Sequence, residues 1–118
     1  MNSKEVTTEN VLQVDAEALR REMFKLIEQH VDYLDFNRDK FMFLLGYYPS
    51  IYSYVSELFT FMINKVREAK VGRLGGDVVA ARMDKRDVLD QVLKAVKFQY
   101  DSLSRKITII TAEEEHAL

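Results

Sequence analysis

Two hydrophobic patterns dominate the 118-residue chain. In the first, Leu19, Met23, Leu26, His30 and Leu34 recur at steps of three and four. Phe24, Ile27 and Val31 widen the same face, while Arg20, Arg21, Lys25, Glu28 and Gln29 fall largely elsewhere. That spacing predicts an amphipathic helix. Asp15 is a good cap for its start, with Glu17 in the first turn, where the helix dipole favours an acid. In the second, Leu89, Leu93, Val96, Tyr100, Leu103, Ile107 and Ile110 run at alternating steps of four and three. This is a heptad seam sustained without a miss, able to pack within one chain or between two.

Between them lies FMFLLGYYPSIYSYVSELFTFMI, residues 41–63, with Glu57 as its only formal charge. Its length suits a membrane span, but two features argue for a buried central helix instead. Ser50, Ser53, Glu57, Thr60, Asn64 and Arg67 form a narrow polar stripe at helical spacing, which a lipid-facing helix has no need of. Apolar rows face away from it: Tyr52, Phe59 and Val66, then Val55, Met62 and Ala69, with Ile51, Leu58, Tyr54 and Phe61 spreading the surface. Pro49 divides the segment, and neither part alone has the roughly 20 apolar residues a crossing needs. Pro49 lacks a backbone donor, so it is expected to end one helix or start another.

Polar interruptions set the remaining boundaries. DFNRDK, residues 35–40, suggests a turn, with Asn37 or Asp35 as cap; one bent helix is the alternative. Gly72 suits a helix C-terminus and Gly75-Gly76 a joint, so the main helical hairpin is placed there. The last helix begins near Asp77 or restarts at Asp84, and the β-branched KITIITA suggests fraying near its end. Residues 1–14 read as a flexible arm, 15–111 as a single helical domain and 112–118 as an acidic tail. The fold class expected is all-α, an antiparallel bundle of three to four helices with a long C-terminal heptad-patterned helix.

Composition narrows the chemistry. With no cysteine, disulfides, thiol catalysis and cysteine zinc sites are excluded. The N-terminal stretch has no signal-peptide core, so a cytoplasmic protein without membrane association is expected. His30 and His116 are the only histidines, and neither belongs to a ligand pair of the HxxxH or ExxH type. Asp32, Asp35 and Asp39 read as a solvated turn, and Asp84 with Asp87 as a helix start. GRLGG lacks the strand before it and the GKS or GKT after it that a phosphate loop requires. No catalytic residue, metal or cofactor is assigned, and no enzyme activity is expected.

Two clusters remain as binding candidates. Tyr47, Tyr48, Tyr52, Tyr54, Phe59 and Phe61 lie within fifteen residues and on several sides of one helix. A small domain has difficulty burying all of them, and tyrosine suits surfaces that are apolar in body and polar at the tip. With Leu103 and Ile107 of the heptad seam, they are the candidate protein interface. The second cluster is Lys65, Arg67, Lys70, Arg73, Arg82, Lys85 and Arg86. Against Glu68, Asp77 and Asp84 it makes residues 65–86 net +4 in a chain of net charge −2. It is the candidate site for nucleic acid or an acidic partner. The function expected is a non-enzymatic helical interaction protein, an adaptor, scaffold or inhibitor, self-associating through the aromatic-rich helix. The alternative is a nucleic-acid-binding accessory protein of the recombination or replication type, of phage origin among others, using the basic helix-loop-helix corner.

Overall fold

A computed structural model describes residues 6–28 and 38–117. The chain is all-α: a short 3-10 turn at Val11–Gln13 precedes α1 (Ala16–Glu28), α2 (Arg38–Val71) and α3 (Gly76–Ala117). His30, Val31, Asp32, Leu34, residues 35–37 of the turn expected over 35–40, and the Ile110 side chain fall outside the described residues, while residues 38–40 open α2.

Asp15 caps α1 as its sequence position implies: the Ala18 amide donates to Asp15 Oδ1 at 2.7 Å. Leu19, Met23, Leu26 and Ile27 form its buried face. Both α1 and α2 pack on α3. The core is completed by Phe41, Leu44, Tyr48, Val55, Leu58 and Met62 of α2 and by Val88, Leu89, Val92, Val96 and Leu103 of α3. All six residues of the polar stripe on α2 are exposed.

Pro49 does not divide the middle segment. It lies inside the continuous 34-residue α2, a correction to the sequence expectation. Buried side chains on both sides, Phe41 and Leu44 before it and Val55 and Leu58 after it, hold the helix together. Their burial, worth roughly 1.5–3 kcal/mol each, outweighs the roughly 3 kcal/mol that proline costs in a helix interior. The last helix likewise starts at Gly76 and runs through Asp84 without a restart.

The turn between α2 and α3 is closed by hydrogen bonds from the Leu74 amide to the Ala69 carbonyl, 3.0 Å, and from the Arg73 amide to the Lys70 carbonyl, 3.3 Å. This is the Schellman pattern, in which the residue after the cap turns left-handed. Gly72 occupies the cap, but the left-handed residue is Arg73, with φ 54°.

The segment before α1 is part of the domain from Val6 onward. Val6 and Val11 are buried in the core. The Tyr54 hydroxyl donates to the Val6 carbonyl, and Lys85 Nζ to the Leu12 carbonyl at 2.6 Å. At the other end, α3 continues to Ala117, so the acidic residues 113–115 extend the helix.

The result is a rod of 66 × 26 × 18 Å. Its length is that of α3, whose 42 residues span about 63 Å at 1.5 Å each.

Candidate functional site

The aromatic cluster is split by the fold. Tyr48 is 1% exposed and belongs to the core. Tyr47 and Tyr54 are half-buried, and their hydroxyls serve the fold. Tyr47 Oη donates to the Leu26 carbonyl at 2.8 Å, and Tyr54 ties down Val6. Burial raises the pKa of both phenols, that of Tyr54 to about 12. Phe59 and Phe61 are half-buried against the core, and Lys65 Nζ sits 5.2 Å from the centre of the Phe61 ring. Leu103 is fully buried and Ile107 half-buried. Of the eight interface candidates only Tyr52, at 42%, is exposed.

Tyr52 stands on one bank of an open groove of about 540 Å³ between α2 and α3. Tyr48, Pro49, Tyr52 and Ser53 line it from α2, and Val96, Lys97, Tyr100 and Asp101 from α3. No residue of α1 reaches it. Lys97 and Asp101 lie one helical turn apart on the rim. Both are exposed, and they form no ion pair among the described residues. Of the interface candidates, Tyr48 and Tyr52 line the groove; Pro49 stood out in the sequence only as a helix breaker, and Val96 and Tyr100 only as heptad positions. Only the pairing of α2 with α3 brings those residues beside Tyr52.

The basic cluster is also taken apart. Lys65 pairs with Glu68 at 2.9 Å. Arg82 Nη1 donates to the Lys65 carbonyl at 2.8 Å. Lys85, 6% exposed, is spent on the Leu12 carbonyl. Its pKa is lowered by burial, against the pull of Asp15, with Arg82 adding a small further push down. Arg86 contacts Asp87 at 3.1 Å. Arg67, Lys70 and Arg73 remain exposed at the α2–α3 turn without an ion pair among the described residues. They lie beside the exposed Val71, Leu74 and Val78.

No group of three or more histidine, cysteine, aspartate or glutamate residues converges as a metal site would, among the described residues. Under the same limit, no helix is long and apolar enough to cross a membrane. Further apolar side chains lie exposed along the rod: Met42 and Phe43 at the start of α2, and Phe98 and Ile109 on α3. Comparison of the chain with protein-family models, with curated proteins and with solved structures finds no match.

Proposed function

We propose that the chain is a non-enzymatic interaction protein, an adaptor, scaffold or inhibitor, that works as a self-associated assembly of helical rods. The observation that carries this reading is an excess of surface. The chain exposes 7822 Å², whereas a compact monomer of its mass exposes about 6,600 Å². Its radius of gyration is 17.9 Å against about 13.5 Å for a compact domain of this length. The surplus, about 1,200 Å² per chain, is of the size that one subunit gives to an obligate homodimer.

In this reading α2 and α3 lie antiparallel, and the heptad positions of α3 are used within the chain. Two facts support that arrangement. Arg82 bonds the Lys65 carbonyl near the turn, and Tyr48 and Tyr52 line one groove with Val96 and Tyr100 farther from it. Leu89, Val96 and Leu103 are then core, while the side of the hairpin away from α1 is left for a partner.

Sedimentation velocity over a hundredfold range of concentration tests the reading. The expected result is a mass above 13.8 kDa that grows with concentration and saturates at a defined stoichiometry. A single 13.8 kDa species throughout would refute it.

A further inference from the structure

The groove has a feature that selects its occupant. Lys97 and Asp101 sit on one bank, four residues apart, which is about 6 Å along the axis of α3. A helix carrying a cation and an anion one turn apart is complementary to its own reversed copy. A two-fold axis perpendicular to α3, at the level of residue 99, sets Lys97 of one copy against Asp101 of the other, and the converse. One operation makes two ion pairs from two side chains that have none among the described residues.

The same axis passes beside the apolar part of the groove. Tyr52 and Pro49 are exposed there, next to the half-buried Tyr100. Each copy would lay its Tyr52 and Pro49 on the corresponding patch of the other. Tyrosine suits such a position because the ring is buried while the hydroxyl keeps a route to water. Two charge pairs on the α3 bank beside an aromatic and proline patch on the α2 bank combine the polar and apolar parts of a specific interface.

We infer that the face bordering the α2–α3 groove is the self-association site, meeting the same face of a second copy in an isologous two-fold contact held in register by Lys97 and Asp101. This rests on the self-association reading above and adds to it the face, the symmetry and the pairing residues. Charge complementarity favours a second copy over an unrelated helix. The surplus of surface is of the area that such a contact uses.

A charge-swap experiment on the full chain decides the matter. Lys97→Asp places four carboxylates around the axis, and Asp101→Lys places four ammonium groups there. Each single change is expected to weaken the dimer by about tenfold or more. The double change Lys97→Asp with Asp101→Lys restores opposite charges across the axis. It should return the dissociation constant to within about threefold of the original. Both positions are exposed, so helix content by circular dichroism should not move in any of the three proteins.

Rescue by the double change supports the inference when mixing the two single variants also restores tight dimers, because an ion pair within one helix is rebuilt by the double change but not by the mixture. Single variants that dimerise as tightly as the original chain would overturn the inference and leave self-association to another face. Equal weakening in the singles and the double would also overturn it. A monomeric original chain would overturn the parent reading together with it.

Discussion

Replacing Pro49 by alanine should make the monomer more stable, although it removes the only proline of the chain. Pro49 lies well inside α2 and is exposed. Its ring fills no core space, so its loss leaves no cavity. The substitution returns an amide that can reach the Leu45 carbonyl, worth about 0.5–1.5 kcal/mol. It also relieves the clash of the ring with that carbonyl. The propensity difference between proline and alanine, about 3 kcal/mol, sets the upper bound. A gain of about 1–3 kcal/mol is expected. Gly46 lies one turn earlier, and a Cβ added there meets nothing within 4 Å. Gly46→Ala should add about 1 kcal/mol by restricting the unfolded chain.

The assay is urea unfolding followed by circular dichroism. It is run at a protein concentration low enough that association does not feed into the stability. With a slope of about 1–3 kcal/mol/M, the paired change should raise the midpoint by about 1–2 M. The same protein should self-associate less tightly, because Pro49 lies in the groove. A lower midpoint for Pro49→Ala would refute the reasoning. It would mean that Tyr48, the buried neighbour, depends on the local backbone that proline imposes.

Arg73→Gly should stabilise the chain by about 0.5–1 kcal/mol, since glycine enters the left-handed region without the steric cost that arginine bears; thermal unfolding that shows no gain would count against it. Tyr54→Phe should cost about 1–2 kcal/mol, because the buried Val6 carbonyl loses its donor. The same variant should change the alkaline limb. The native phenol holds its proton up to about 12, whereas the unfolded one releases it near 10. Between those values the unfolded state has shed protons that the native state retains, so stability falls as pH rises. Tyr54→Phe should make that fall shallower, and an unchanged slope would remove Tyr54 as its source. Hydrogen exchange supplies a last check: in the two-fold contact, α3 residues 104–117 run beside residues 81–94 of the partner. Their amides should be protected in the dimer and exchange quickly at dilution, and equal exchange in both states would contradict that register.

The helices themselves were legible from spacing. The α1 cap at Asp15 and the polar stripe of α2 depend on local rules, and local rules are visible in a sequence. Pro49 was misread because its cost is local while the burial that offsets it comes from Phe41, Leu44, Val55 and Leu58 against other helices. The basic run was legible as a count of charges but not as a surface. The acceptors of Arg82 and Lys85 are backbone carbonyls 17 and 73 residues away, and charge counting has no view of them. The tyrosines follow the same logic. Tyr47 and Tyr54 were visible as apolar bodies with polar tips, but their tips are committed to Leu26 and Val6, which only the packed chain brings within reach. The segment 6–14 looked loose because its few apolar residues show no period. Val6 and Val11 are nevertheless buried, each fixed by contacts distant in sequence.

The departures from local stability share a location. Gly46 and Pro49 together forgo about 4 kcal/mol of helix propensity relative to alanine, and both are exposed, so neither is required by the core. Natural sequences break local rules chiefly where function asks for it, and stability alone would have replaced both residues. Pro49 lines a groove whose α3 bank carries Lys97 and Asp101, neither in an ion pair among the described residues. A proline ring there offers a flat, rigid contact that loses no side-chain entropy on binding. The glycine one turn before it lets another backbone approach closely. On the proposed self-association, a surface kept at the expense of the monomer gains its return in the assembled state. Under that reading the second copy belongs at the groove and not at the more numerous exposed side chains elsewhere on the rod.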